Sequence, residues 1–510
     1  MKRTRWIALL ALLLLPGRAA GQQAALDYTI DLNDRADDRF HVVLAVNGLP
    51  EEGALYQFAS TAPGTYQVMD IGRFVRDFEA RGADGAEIPV EHVSVNQWRI
   101  EDPEDVREIR YAVAETWDTP VPEHQVYPMA GTSIEADHVL FNAHAVIGYP
   151  TGMQGTPVRV TFLYPADWTV GTALAAEGDG AYRAADYDEL VDSPVLLGRL
   201  TAASTEVTGV PVSIYAYSAT DKIHADQLLG AMRDMLVAAG EFLGKLPVDH
   251  YTFLYHFEGQ RSSGGAWEHS YSSEYVFPEF EWSDRVGGLV TDVAAHEFFH
   301  VVTPLNIHSE IIEHFNFVTP VPSQHLWLYE GTTEWASDAM QLRAGLKTPD
   351  EYLNEVVQKL RADRQFFDPN VSLTRLSLTS YTDAGQRQYG NIYQRGAVVA
   401  GLLDIRLLEL SGGERGLQEL IHELTLRFGK DRPFPEDSLF DIVTEMTYPE
   451  IGDFFDRYVK EAEPLPIEAY YGKLGIHLTT DDDGKPTGFR IDPEPTPEQR
   501  RLREAWLSNP

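Results

Sequence analysis

The chain contains no cysteine. That excludes disulfides, thiolate nucleophiles, thiolate metal ligands and S-linked lipid, so any bound metal must be held by histidine and carboxylate. Beyond the first twenty residues, no segment approaches the roughly 18 consecutive apolar residues that a membrane helix needs. Basic residues are also scarce: 41 Lys and Arg stand against 78 Asp and Glu, for a net charge of −37. A surface this acidic repels phosphate backbones and anionic lipid, which excludes nucleic acid as a partner class. No internal repeat and no low-complexity tract is visible.

The one long apolar run sits at the start. Lys2, Arg3 and Arg5 precede Trp6–Leu15, and Ala19-Ala20-Gly21 supplies small residues for cleavage. The pattern predicts a signal peptide over residues 1–21 and an exported protein, periplasmic or extracellular, with no membrane span after cleavage. The remaining chain is long enough for two or three domains.

Texture divides that remainder into regions. Residues 22–209 read as an antiparallel β domain of sandwich type, with alternating runs such as Phe40–Val46, Ile109–Val113 and Val158–Tyr164 between turn clusters. Residues 210–346 mix strand and helix. An alternating strand holds Val212, Ile214 and Ala216, and helical spacing follows over 223–243. A strand over Tyr251–Phe257 leads into the glycine-containing segment 259–265, and further helices are expected over about 286–302 and from Leu328. Residues 347–463 are mostly helical. They open at Thr348-Pro349-Asp350-Glu351, which combines a threonine cap, proline at the first helical position and glutamate three residues after the cap. Residues 464–510 form a Pro- and acid-rich tail. The expected class is therefore multidomain α+β.

The chemistry concentrates in His296-Glu297-Phe298-Phe299-His300. On a helix, residues four apart share a face, so both imidazoles can grip one ion while Glu297 reaches a water beside it. A catalytic zinc site needs a third protein ligand and an open position. Glu330, in Leu326-Trp327-Leu328-Tyr329-Glu330-Gly331, is the best candidate, because its apolar surroundings bury it and Gly331 permits close backbone approach. His308, His314 and His325 are weaker alternatives in the intervening loop, and His250 and His256, flanking a strand, read as structural. Glu334, one turn beyond Glu330, and Asp292, four residues before His296, are placed to accept hydrogen bonds from the ligand imidazoles.

His296–His300, Leu326–Gly331 and Gly264-Gly265-Ala266-Trp267-Glu268-His269 together resemble the glycyl aminopeptidase family of gluzincins, zinc metallopeptidases with a thermolysin-like catalytic domain. Ala62-Pro63-Gly64-Thr65-Tyr66 and Asn96-Gln97-Trp98 extend the likeness, which spans roughly Leu26 to Ile476. The resemblance implies one Zn2+ on His296, His300 and Glu330, with Glu297 as general base. It also implies that Glu268 binds the substrate's free α-amino group beside Gly265 and Ala266, and that Tyr393 stabilises the tetrahedral intermediate, with Tyr389 as its nearest rival. The chain departs from the family pattern in two ways. After Tyr470–Ile476 only 34 residues follow, too few for the PDZ domain many members carry. Val301–Asn306 also replaces a common Trp-Asn continuation, so no glycine or alanine preference is carried over.

The expected function is a zinc aminopeptidase acting on peptides with free N-termini, through a zinc-bound water and Glu297. The alternatives are an endopeptidase of the same fold, or a non-catalytic, metal-stabilised peptide-binding protein.

Overall fold

The computed structural model describes residues 26–259 and 264–508, so the expected signal peptide lies outside the described residues. The N-terminal region is a β sandwich, with the alternating runs paired as the pattern demands. Leu26–Asp31 pairs in parallel with Val158–Leu163 and antiparallel with Arg39–Ala45, inside an eight-stranded sheet. Alternate residues Tyr28, Ile30, Phe40, Val42 and Leu44 point inward and are fully or almost fully buried. Two four-stranded sheets complete this region around a core of its own.

A separate five-stranded sheet carries the mixed α/β region. Its strand order in space is Thr201–Val207, Val210–Ser218, Tyr251–Phe257, Ser272–Phe277 and Gly265–His269. Thr201–Val207 lies on the N-terminal side of the boundary expected at 209–210, yet it pairs along its whole length with Val210–Ser218. Tyr251–Phe257 is parallel to both of its neighbours and buried at every residue, which explains its continuous apolar sequence. Gly265–His269 is the edge strand, antiparallel to Ser272–Phe277.

Helices Ala225–Leu243 and Asp284–Phe299 pack together over this sheet. Phe298, fully buried, seats the second helix by edge contact with Tyr251 at 4.8 Å and a stacked contact with Phe253 at 6.0 Å. Losing such a side chain costs about 3–5 kcal/mol. The helix stops at Phe299, short of the expected Val302. Pro304 disfavours helical backbone at Thr303 and supplies no N–H, so the chain turns over 301–306.

The C-terminal region is helical, led by Thr332–Arg343, Pro349–Phe366 and Gly390–Ser411. Thr348 caps Pro349–Phe366 with a capping box to Glu351, as the sequence predicts. These helices share one hydrophobic core with the five-stranded sheet. No helix among the described residues is long and apolar enough to cross a membrane.

Candidate active site

His296 lies in the last turn of Asp284–Phe299, and His300 is that helix's C-cap. The i, i+4 spacing brings their ring centroids to 4.9 Å. Each Nε2 lies 3.5 Å from Glu330 Oε2. One ligand atom from each of these three buried residues falls within 4.8 Å of the others. Two donors about 2.0–2.2 Å from one tetrahedral ion stand roughly 3.3–3.5 Å apart. The donor set and its spacing therefore fit a divalent ion of the zinc type.

Glu330 reaches this position through a π turn over Trp327–Gly331, immediately ahead of Thr332–Arg343, so the helix begins slightly earlier than expected. Such turns concentrate at functional sites because they re-aim one side chain. Gly331 is what permits it. A Cβ there would stand 2.6 Å from the Gly396 Cα of helix Gly390–Ser411, and Gly396 is crowded in turn by Gly331.

Both Nδ1 atoms are committed elsewhere, which leaves Nε2 for an ion. His296 Nδ1 donates to Glu334 Oε2 at 2.8 Å, and His300 Nδ1 donates to the Thr303 carbonyl at 2.8 Å. Glu334 also takes the Lys359 ammonium at 2.9 Å. Burial pushes the Glu334 carboxyl up, but Lys359 and His296 hold it far below the usual carboxylate range. Glu334 thus occupies its expected place. Asp292 does not: its side chain is 55 % exposed and reaches Lys347 at 3.0 Å and Gln341 at 3.3 Å. With Glu334 and Thr303 already on the two Nδ1 atoms, no imidazole hydrogen remains for Asp292.

The alternative third ligands are spent in other contacts. His308 lies between the Pro304 carbonyl at 2.7 Å and Glu313 at 2.8 Å, and His325 donates to the Glu436 carbonyl at 2.7 Å. His314 is exposed and outside the cluster.

A cavity of about 70 Å³ opens on this cluster. Glu297 lines it, 7 % exposed. Burial, offset in part by His296 and reinforced by Glu330 and Glu334, pushes its carboxyl up to about 7. Glu268 enters from the edge strand on the same side as Ala266, and both line the cavity. An oxygen from each of Glu268 and Glu297 and a ring nitrogen of His300 lie within 4.8 Å of one another. Burial foremost, then Glu330 and Glu297, raises the Glu268 carboxyl well above its ordinary value. Burial and mutual repulsion thus disfavour negative charge on both Glu268 and Glu297. Gly265 stands behind, where a Cβ would meet Met129 Sδ at 2.7 Å.

Tyr393 and Tyr389 both line the cavity, with their hydroxyls 3.2 Å apart. The Tyr393 ring lies 5.6 Å from His296. Burial, then Glu330, drives its phenol upward, so it keeps a proton to donate.

The sequence reading assigned no role here to the residues the β sandwich contributes. Gly64, Thr65, Tyr127, Met129 and Ala130 form the opposite wall. Gly64, at φ +76°, packs so closely that a Cβ would stand 2.6 Å from both Glu268 Oε1 and Trp267 Nε1. Trp267 Nε1 donates to the Pro63 carbonyl at 3.1 Å, and Gln386 donates to the Tyr66 carbonyl at 2.7 Å. Tyr66 itself has φ 46°, a left-handed conformation that is rare for an aromatic residue. The sequence offered Pro63-Gly64 as a turn pair, within the Ala62–Tyr66 segment that extends the family likeness, but gave no indication of what it would face.

The chain matches the Peptidase M61 N-terminal domain over residues 27–199 and M61 glycyl aminopeptidase over residues 290–399, together more than half its length. It belongs to the M61 glycyl aminopeptidase family. An aminopeptidase N family protein from Idiomarina loihiensis shares its fold with a TM-score of 0.78 and 21 % identity, over 90 % of this chain and 81 % of that one. An M1 zinc metallopeptidase from Deinococcus radiodurans superposes at 0.52 with 14 % identity, over 87 % and 96 % of the two chains. Native yeast LTA4 hydrolase does so at 0.54 with 13 % identity, over 89 % and 71 %. At these identities the likeness is one of fold. Among curated proteins no sequence matches this family member. Family membership makes the chain a peptidase.

Proposed function

We propose that the protein is a zinc-dependent aminopeptidase that removes N-terminal residues from peptides. The observation that carries this is the convergence of His296 Nε2, His300 Nε2 and Glu330 Oε2, with Glu297 and Glu268 facing the same cavity. A zinc metallopeptidase from Deinococcus radiodurans has been seen holding a Tyr-Ser-Ala substrate, which supports a peptide as the ligand class.

Zinc held by His296, His300 and Glu330 would supply Lewis acidity to the scissile carbonyl and lower the pKa of a water towards about 7. Glu297 accepts the proton of the attacking water and returns it to the leaving amine. Tyr393, which keeps its phenolic proton, donates to the oxygen on which negative charge develops. An extended peptide can lie along the edge strand Gly265–His269 as an added strand. Glu268, the carboxylate on that strand, then meets the free α-ammonium, and two cations, metal and substrate, relieve the crowding of acids. The apolar leader supports export as the setting.

Two measurements test the reading. Glu297→Gln should retain the metal but lower kcat by at least about 10²-fold, the low end for a positioned acid–base group. Free-amine peptides should be cleaved and their N-acetylated counterparts spared. Efficient cleavage of the acetylated peptides would remove the aminopeptidase assignment.

A further inference from the structure

The seam between the β sandwich and the five-stranded sheet holds a second cluster of histidine and carboxylate. His138 opens the strand His138–Phe141, which belongs to a four-stranded sheet of the sandwich. His256 lies on Tyr251–Phe257, the middle strand of the five, and Glu258 follows that strand directly. Side chains alternate along a strand, so His256 and Glu258 share the face opposite Tyr255 and Phe257. Those two rings belong to the core beneath the helices. Leu254, on the face of His256, packs instead with Leu140 and Leu196 of the sandwich.

Three donors converge at this seam. One ligand atom from each of His138, His256 and Glu258 lies within 4.8 Å of the other two. His256 Nε2 stands 3.9 Å from Glu258 Oε2, which is too long for a hydrogen bond. The gap is about half an ångström wider than the roughly 3.3–3.5 Å between two donors on one tetrahedral zinc. The Glu258 side chain, 28 % exposed, has room to close it and leaves an ion an approach from solvent.

Aromatic packing alone would also bury these histidines. The His138 ring lies 3.8 Å from that of Tyr217 and 4.8 Å from that of His256. Packing does not account for the nitrogens of His138. The residue is 2 % exposed, and its Nε2 has no hydrogen-bond partner. A buried polar atom left in that state has given up its water for nothing. Nδ1 is held, by contrast. It donates to Asp137 Oδ1 at 3.0 Å, and Asp137 also takes Arg199 at 3.4 Å and the Tyr217 hydroxyl at 3.3 Å. A carboxylate on Nδ1 fixes the tautomer that presents the Nε2 lone pair, as it does in metal-binding histidines. Glu334 stands in the same relation to His296.

We propose that His138, His256 and Glu258 bind a second divalent ion of the zinc type, which pins the β sandwich to the five-stranded sheet. Two imidazoles and one carboxylate suit zinc, cobalt or nickel rather than calcium or magnesium, which take oxygen ligands. The cluster shares no residue with His296, His300 and Glu330, so the inference stands independently of the aminopeptidase reading.

Metal content of the intact protein, stripped, reloaded with zinc and dialysed, provides the test. Wild type should hold two ions per chain, Glu258→Ala one, His296→Gln one, and the double variant none. Glu258 is only half-buried, so its truncation is expected to fold. His138→Gln should lose the same ion as Glu258→Ala. In the His296→Gln background, cobalt should give visible ligand-field absorption and zinc should raise the unfolding temperature. Adding Glu258→Ala should abolish both signals. A single ion in wild type that Glu258→Ala leaves in place overturns the inference. So does a second ion that survives both Glu258→Ala and His138→Gln, as zinc adsorbed on surface acids would.

Discussion

The imidazoles of His296 and His300 are oriented by different kinds of partner, and this sets what a point mutation can reveal. His300 leans on a backbone carbonyl, which no side-chain change removes. His296 leans on Glu334, whose charge is balanced by Lys359. Replacing Glu334 by Gln keeps an oxygen near Nδ1 but removes the negative charge and leaves Lys359 with one fewer partner. The expected outcome is a loss of about 10–100-fold in metal affinity, read by competition with a chromogenic chelator. Asp292→Asn serves as the control and should leave that affinity unchanged, because Asp292 faces Lys347 and Gln341. Equal effects of the two variants would show that Glu334 acts only through overall charge. The same spacing argument selected both residues from the sequence, and it succeeded for only one. Spacing fixes the face on which a side chain lies. It is silent about a competitor arriving from another helix, and here Glu334 arrives first.

At the scale of elements, the site depends on two helices crossing at a pair of glycines. Gly331 and Gly396 touch backbone to backbone, and this contact lets Trp327–Gly331 wind as a π turn with Glu330 aimed at the histidines. Gly331→Ala should force the crossing apart. The expected cost is about 1–3 kcal/mol of stability, with a larger proportional loss of metal occupancy because Glu330 moves with the turn. Thermal unfolding and metal content measured on one preparation check this; full occupancy at reduced stability would show that the glycine pair serves packing alone. Much of this level was legible in the sequence. The strand Tyr251–Phe257, the helix bearing both histidines and the need for close approach at Gly331 all follow from local pattern. The π turn was not legible, since its apolar run fits an ordinary helix equally well. The early stop at Phe299 was signalled by Pro304, whose effect reaches back further than the apolar pattern suggested.

At the scale of the whole molecule, the walls facing His296, His300 and Glu330 come from stretches far apart in the chain. The β sandwich supplies Gly64, the edge strand supplies Glu268, and the helical region supplies Tyr389 and Tyr393. No periodicity in a sequence shows that residue 64 will press on residue 268, so this wall was invisible until the fold was known. The assembly also concentrates Glu268, Glu297 and Glu330 in a protein that already carries a net charge of −37. A divalent ion should therefore contribute to global stability as well as to chemistry, and its contribution should depend on pH with a definite sign. Burial opposes charge on His296, yet Glu330 and Glu334 together raise its pKa well above the ordinary value, so without metal it tends to keep a proton. Metal binding must displace that proton, and affinity therefore rises with pH until His296 is neutral without help. An ion held at 100 times its Kd adds about 2.7 kcal/mol to unfolding. The gap in unfolding temperature between zinc-loaded and chelator-treated protein should accordingly be widest at pH 8 and close progressively towards pH 5.5. Zinc addition to the stripped protein should restore both the gap and the peptidase activity. A gap that is constant with pH, or that widens on acidification, would mean that the ion does not compete with a proton for His296.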